Sequence, residues 1–236
     1  MSKRISYLPY VAVPLLATLV VTAPSRLEAS SPAMKLGRAT LVLQSFTISP
    51  AQPGQVIPTW LLRRSQGIAI IPNVVQAGFF LGGRRGSGVL MVRNAEGNWS
   101  HPAFITLTGG SFGLQFGAQS TDLVVVFMNK LAVYKGLGES FTLGGNVSAA
   151  AGPVGGEVVS PADPSPQVYT YSRSQGLFAG VSLEGAKIAF DREVSDRYYN
   201  RSNLTPFQIF NNKPPLPTPT ELSELQQALV QATRTR

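Results

Sequence analysis

Glycine is distributed very unevenly along this chain of 236 residues, and its placement restricts the possible folds more than any other feature. All of the 23 glycines except Gly37 and Gly54 lie between Gly67 and Gly185, many of them inside apparent strands. Glycine within a strand usually marks a bulge, a sharp bend or a close approach between backbones. We therefore expect a mainly β (α+β) fold built on a curved antiparallel sheet, either a sandwich or a barrel-like sheet.

Residue patterning in the same region predicts separate strands joined by turns. Alternation of side chains is clearest at 112–118 and 177–184. The remaining predicted strands are 68–71, 75–81, 88–93, 104–108, 123–128, 142–150 and 168–173. A short peripheral helix is predicted to begin at Asn129 and to end near Gly136.

Two helices are expected before the strands. Ser31 and Pro32 supply a capping residue and a proline at the first helical position, and the helix is predicted to end near Thr47. Its apolar residues at helical spacing are Met34, Leu41, Val42 and Phe46. A second helix is predicted at 58–67. An apolar stripe flanked by basic residues fits a helix lying on a membrane, and it also fits a helix packed on its own domain.

The N-terminal residues 1–29 have the features of a secretory signal peptide. Lys3 and Arg4 precede an uncharged stretch at 5–23, and cleavage is expected after Ala29. An uncleaved membrane anchor is the alternative, since the stretch has 19 residues and a span needs about 20. We expect an exported protein, periplasmic or secreted, with a domain at 30–200, a Pro-rich linker at 201–219 and a short C-terminal helix at 220–236, either docked or free.

The basic residues are concentrated near the start of the predicted domain. The formal net charge is +8, yet residues 67–185 carry six basic and six acidic residues. Residues 30–66 contain no acid and four basic residues, Lys35, Arg38, Arg63 and Arg64. This asymmetry predicts a basic face that meets an anionic partner such as a lipid surface or a polyanion. The alternative is that the charge only keeps the protein soluble.

Composition excludes redox and zinc chemistry, and the order and spacing of the remaining candidates argue against an enzyme. The chain has no cysteine and a single histidine, His101, which rules out thiolate chemistry and a histidine-based metal site. Ser111 lies in a Gly-x-Ser-x-Gly pattern, but His101 precedes it, whereas the hydrolases that use this turn place histidine after serine. The carboxylates show no spacing typical of acid/base pairs. We expect no enzymatic activity and no cofactor.

The segment 82–88 is the best candidate for binding a phosphate group. Its glycines could let backbone N–H groups converge on an anion while Arg84 and Arg85 supply charge. It lacks the Lys-Ser/Thr ending of a P-loop and precedes a strand. It therefore fits either a lipid headgroup site or a plain hairpin turn with exposed arginines.

Several motifs occur in order over about residues 33–199 and together resemble the SYLF domain. They are Ile71-Pro72, Gly78-Phe79, Gly86-Ser87-Gly88-Val89-Leu90, Gly97-Asn98-Trp99-Ser100-His101-Pro102-Ala103, Gly109-Gly110-Ser111-Phe112-Gly113, Leu143-Gly144-Gly145-Asn146 and Tyr171-Ser172-Arg173-Ser174 followed by Gly176-Leu177-Phe178-Ala179-Gly180-Val181.

The resemblance implies a non-enzymatic lipid-binding module. Eukaryotic members bind phosphoinositides and some bind actin filaments, whereas bacterial members are exported. Lipid contacts in the family are associated with an N-terminal amphipathic helix and a basic surface. This chain departs from the family at Gln76, where members carry a basic residue, so the expectation is anionic phospholipid in general.

We thus expect an anionic phospholipid or membrane surface as partner, with no nucleic acid and no actin, because an exported protein does not meet cytoplasmic actin. The expected lipid-binding residues are Lys35, Arg38, Trp60, Arg63, Arg64, Arg84 and Arg85. The alternative function is a structural or assembly protein of the cell envelope that acts through protein contacts.

Overall fold

The computed structural model describes residues 31–48, 56–139, 141–142, 149–152, 166–174 and 185–234. The fold is α+β and rich in strands, as the sequence predicts. In chain order the elements are α1 (Pro32–Thr47), α2 (Thr59–Arg64), β1 (Gly67–Val92), β2 (Ala103–Phe127), α3 (Lys130–Glu139), β3 (Phe141–Thr142), β4 (Ala149–Ala151), β5 (Val168–Ser174), β6 (Lys187–Phe190), α4 (Arg192–Tyr199), α5 (Pro206–Phe210) and α6 (Thr220–Arg234). The predicted signal peptide at 1–29 and the predicted strand at 177–184 lie outside the described residues.

Strands β1 and β2 form one long antiparallel ribbon. Gly67 pairs with Phe127 at one end of the ribbon, and Leu90 pairs with Ala103 at the other. The ribbon folds back on itself, because the amide of Arg93 donates to the carbonyl of Gln66 at 3.0 Å and so joins the two ends of β1. The result is the curved, sandwich-like sheet that the glycine content predicts, and the strands that the structure describes do not close it into a barrel.

The prediction of short separate strands is wrong for this ribbon. The three segments predicted between residues 68 and 93 belong to β1, and those predicted between 104 and 128 belong to β2. Residues 82–88, which matched a hairpin turn by composition, pair with residues 105–111 inside the ribbon. Their glycines include Gly88, where backbone from the two halves of β1 meets closely. Composition alone does not distinguish a glycine used in this way from a turn glycine.

The shorter strands complete a mixed sheet. Strand β5 pairs with residues 121–127 of β2, and β6 pairs with residues 105–108. Strand β3 adds to β6, and β4 runs parallel to β5. Since successive side chains of a strand point to opposite faces, the sheet has two apolar faces. One face packs against α1, α2 and α6, which we call the helical layer, and the other packs against α3 and α5.

Helix α1 begins and packs as its sequence predicts. The Ser31 hydroxyl accepts a hydrogen bond from the amide of Met34 at 3.2 Å, and Pro32 occupies the first turn. Helix α6, for which the sequence left docking open, packs against α1 and the sheet. Its fully buried leucines are Leu222, Leu225 and Leu229. The C-terminal helix is therefore part of the core.

Hydrogen bonds from the Arg93 side chain connect α2 to the turn between β1 and β2. Its guanidinium donates to the carbonyls of Leu62, Ser65 and Gly97 at 3.2, 3.0 and 2.7 Å. The same group lies 4.3 Å from the centroid of the Trp99 ring, which is a cation–π distance. Two of the acceptors belong to the end of α2, so Arg93 fixes the position of that helix and of the arginines that it carries.

His101 is buried beneath the Pro-rich segment that leads into α6. Its Nε2 lies 3.3 Å from the Thr218 hydroxyl. Burial lowers the pKa of His101 below its ordinary value of 6.5, and hydrogen bonds with the backbone of Pro217 and Leu216 oppose that shift. The folded state therefore binds a proton at this site less readily than the unfolded state does.

We expect acidification to destabilise the protein through His101. A lowered folded-state pKa means that the unfolded state binds more protons just below pH 6.5, so the free energy of unfolding falls as the pH is lowered from 6.5 towards 5. One proton sets an upper limit of about 1.4 kcal/mol per pH unit on this slope. Urea denaturation of the wild type and of His101→Asn between pH 5 and 8 measures it. An equal slope in both proteins would exclude His101 as its source.

Candidate lipid-binding surface

Helix α1 carries apolar side chains on two sides. The buried side includes Leu36, Leu43 and Phe46, none of which is exposed. On the opposite side a second apolar row faces solvent, and its members are Met34 (51% exposed), Leu41 (66%) and Ile48 (64%). A spacing of seven residues is close to two helical turns, which aligns the three along one side of the helix. We call them the outer row.

The apolar stripe predicted from the sequence is split between two sides of α1. Val42 and Phe46 pack into the core, whereas Met34 and Leu41 of the same predicted stripe do not. Ile48, just after the helix, extends the row. The signal in the sequence was the seven-residue repeat from Met34 to Ile48, which runs beside the buried set and not within it.

The two basic residues of α1 occupy different surroundings. Arg38 is exposed, and its position one turn after Met34 and three residues before Leu41 places it on the same side as the outer row. Lys35 is partly buried at the flank. Burial lowers the pKa of Lys35, the nearby carboxylate of Asp191 raises it, and Arg197 lowers it. Lys35 thus shares its surroundings with charges of both signs from α4.

The basic residues of α2 lie beside the end of α6. The Arg63 Nε donates to the carbonyl of Thr233, in the last turn of α6, at 2.7 Å. Arg64 is exposed, and its guanidinium lies 5.9 Å from the centroid of the Trp60 ring. Trp60 is partly buried against the core of the helical layer, so only part of its ring is available to a partner.

The structure separates Arg84 from Arg85. Both lie in β1, so their side chains point to opposite faces of the strand. Arg84 is only 8% exposed and donates from Nη2 to the carbonyl of Gly110 at 3.3 Å. Burial lowers its pKa. Arg85 is exposed. The paired arginines expected at a headgroup loop are therefore not presented together.

The sequence-predicted residues thus fall into two groups. Arg38, Trp60, Arg63 and Arg64 lie on the helical layer, with Lys35 at its flank, and Arg84 and Arg85 lie in the ribbon. None of the described helices has the length and apolarity needed to cross a bilayer. What the helical layer offers is an exposed apolar row beside exposed guanidinium groups.

Comparison with known proteins identifies the family. A family model described as Ysc84, Las17-binding protein actin regulator, matches residues 108–232. Protein YSC84 of Saccharomyces cerevisiae is 40% identical over 189 residues, covering 76% of this chain and 40% of that protein. SH3 domain-containing YSC84-like protein 1 is 34% identical over 213 residues in Xenopus laevis, covering 87% of this chain and 61% of that protein.

The human SH3 domain-containing YSC84-like protein 1 is 35% identical over 191 residues, which cover 78% of this chain and 55% of that protein. The chain thus spans about 40% to 61% of the length of these relatives. The description of the family model names a Las17-binding protein and an actin regulator. The resemblance seen in the sequence motifs is confirmed, and the chain belongs to the Ysc84/SYLF family.

Proposed function

We propose that this protein binds the surface of anionic membranes without catalysing a reaction, as an exported member of its family. The observation that carries the proposal is the outer row of α1, three large apolar side chains that are each at least half exposed and have Arg38 among them. A helix face of this composition is suited to the boundary between lipid headgroups and acyl chains.

Simple energetics favour a reversible, peripheral association. Complete burial of a Leu, Ile or Met side chain is worth about 1.5–3 kcal/mol, so these half-exposed residues can each contribute about 1 kcal/mol or more on entering a membrane. Each basic residue near an anionic surface adds about 1 kcal/mol. Three apolar residues and a few arginines together are enough for reversible binding to an anionic membrane. The electrostatic contribution to the binding free energy should become smaller as the salt concentration increases.

We expect the double variant Leu41→Gln/Ile48→Gln to bind anionic vesicles more weakly, because it removes two apolar side chains of the outer row. Its partition coefficient should fall by about tenfold or more. Both side chains are about two-thirds exposed, so the double variant should keep the wild-type unfolding midpoint. Co-sedimentation with vesicles at several lipid concentrations measures the partitioning.

A matched control removes two apolar residues of similar exposure from the other side of the sheet. Leu131 on α3 is 54% exposed and Phe207 on α5 is 64% exposed. The control Leu131→Gln/Phe207→Gln should bind vesicles as the wild type does. An equal loss in both double variants would show that general hydrophobicity, and not the outer row, determines binding.

The same control residues favour a second candidate function, which is assembly with a protein partner in the cell envelope. Leu131 and Phe207 are exposed on the face packed by α3 and α5, and the Phe207 ring lies 6.2 Å from that of Tyr134. An exposed aromatic and aliphatic cluster is typical of protein contacts. Association through it should be insensitive to salt, whereas lipid attraction should be screened.

A further inference from the structure

The two ends of the helical layer differ in charge. At one end α1 and α6 begin close to α4, because Val194 and Tyr198 of α4 pack against the same core cluster as Leu36 of α1 and Leu222 of α6. Charges of both signs occur there, including the exposed ion pair between Glu193 and Arg197. We call this the mixed end. Its carboxylates offset the attraction of its cations for an anionic surface.

At the other end α1 and α6 both meet α2. The amide of Ile57, just before α2, donates to the carbonyl of Phe46 in α1 at 2.9 Å. The last turn of α6 is held to α2 by the 2.7 Å bond from Arg63 to Thr233. Three basic residues therefore lie at this end, Arg63 and Arg64 from α2 and Arg234 from α6. We call it the basic end.

No ion pair neutralises these three arginines among the residues that the structure describes. The closest acid before Arg234 on α6 is Glu224, ten residues earlier and so about 15 Å away along the helix. Arg64 and Arg234 are exposed. The outer row also reaches this end, because Ile48 follows the last turn of α1 and Phe46 bonds to the segment before α2.

We propose that the basic end is the point at which the domain docks on an anionic phospholipid bilayer, and that Arg234 of the C-terminal helix is part of the contact. This inference rests on the proposed function and adds an orientation to it. Guanidinium groups from two helices and the apolar side chain of Ile48 lie at the same end of the helical layer. This combination suits a bilayer surface, where phosphate groups and acyl chains are adjacent. Helix α1 is then tilted on the bilayer, so that Leu41 and Ile48 of the outer row lie deeper than Met34 and the mixed end lies farther from the headgroups.

The test compares two double variants of equal charge in the full chain. Arg64→Gln/Arg234→Gln removes two exposed charges from the basic end, and Arg192→Gln/Lys213→Gln removes two exposed charges elsewhere. Co-sedimentation with phosphatidylserine/phosphatidylcholine vesicles and with pure phosphatidylcholine vesicles gives an anionic preference, the ratio of the two partition coefficients. Taking this ratio cancels any apolar binding that is common to both vesicle types.

The anionic preference should fall by about 30-fold in the basic-end variant, since each basic residue near an anionic surface is worth about fivefold. It should change less than about threefold in the control. Thermal unfolding should give the wild-type midpoint for both, because all four side chains are exposed. Equal losses in the two variants would overturn the proposed orientation and show that only net charge matters.

Failure of the orientation and failure of the function have different signatures. If the wild type shows no anionic preference at all, the proposed function is wrong. If the wild type prefers anionic vesicles and Leu41→Gln/Ile48→Gln weakens binding, but the two charge variants behave alike, the function stands and the orientation is overturned.

Trp60 supplies an independent readout of orientation. Anionic vesicles with brominated acyl chains should quench its fluorescence, since it lies on α2 at the basic end. Trp99, the other tryptophan, is only 5% exposed and should remain unquenched. Absence of quenching in vesicle-bound protein would contradict docking by this end.

Discussion

Replacing Gly88 by alanine is expected to destabilise the fold strongly. A Cβ at position 88 would lie 2.8 Å from the Cα of Ile71 and 2.9 Å from the carbonyl carbon of Ile70, closer still to that carbonyl oxygen. All three are backbone atoms of the same strand, so no change of rotamer can relieve the contact. The two halves of the ribbon would have to separate, which opens the sheet at the level of its core.

The expected cost is at least about 3 kcal/mol, a large part of the 5–15 kcal/mol that stabilises an ordinary domain. Urea denaturation followed by circular dichroism measures it. Gly83→Ala is the matched control in the same strand, because a Cβ at position 83 meets nothing within 4 Å. If Gly88→Ala and Gly83→Ala were equally stable, the ribbon could not be folded as described.

Removal of residues 220–236 is expected to have an effect at least as large. Helix α6 buries Leu222, Leu225 and Leu229 against α1 and the sheet, and loss of one buried leucine side chain typically costs about 2–5 kcal/mol. The side-chain Nε2 of Gln226 also donates to the backbone carbonyls of Trp99 and Ser100 at 3.0 and 3.3 Å. The truncated chain would expose the apolar side of α1 and should lose its cooperative unfolding transition.

Thermal unfolding and binding of a hydrophobic dye test this prediction. Leu225→Ala provides a milder version, with an expected loss of about 2–5 kcal/mol, and Val230→Ala on the more exposed side of α6 should cost far less. A truncated chain that retains the wild-type midpoint would contradict the assignment of α6 to the core.

These two variants show where the sequence was informative about the fold and where it was not. Local signals placed the start of α1 at Ser31 and Pro32 correctly, because capping depends on a few neighbouring residues. The glycine-rich strands correctly indicated a curved sheet. The folding back of the ribbon depends on contact between Gly88 and Ile70, and local pattern carries no information about a contact of that kind.

For the candidate site, the sequence identified the basic residues of the helical layer but not their surroundings. Lys35 and Arg38 are three residues apart in one helix, yet one lies beside Asp191 and Arg197 while the other is exposed. Arg234 could not be identified from the sequence, because the end of α6 comes to lie beside α2 only when the helix packs onto the domain. The seven-residue spacing of the outer row was present in the sequence but overlapped the buried stripe.

The measurement that tests the central claim most directly is co-sedimentation of the wild-type protein with neutral and with anionic vesicles, each at low and at raised salt. The account predicts stronger binding to the anionic vesicles, and it predicts that raised salt reduces this difference because the arginines of the helical layer are exposed to solvent. Equal binding to both vesicle types at low salt, an anionic preference that raised salt leaves unchanged, or no binding to either vesicle type would contradict it.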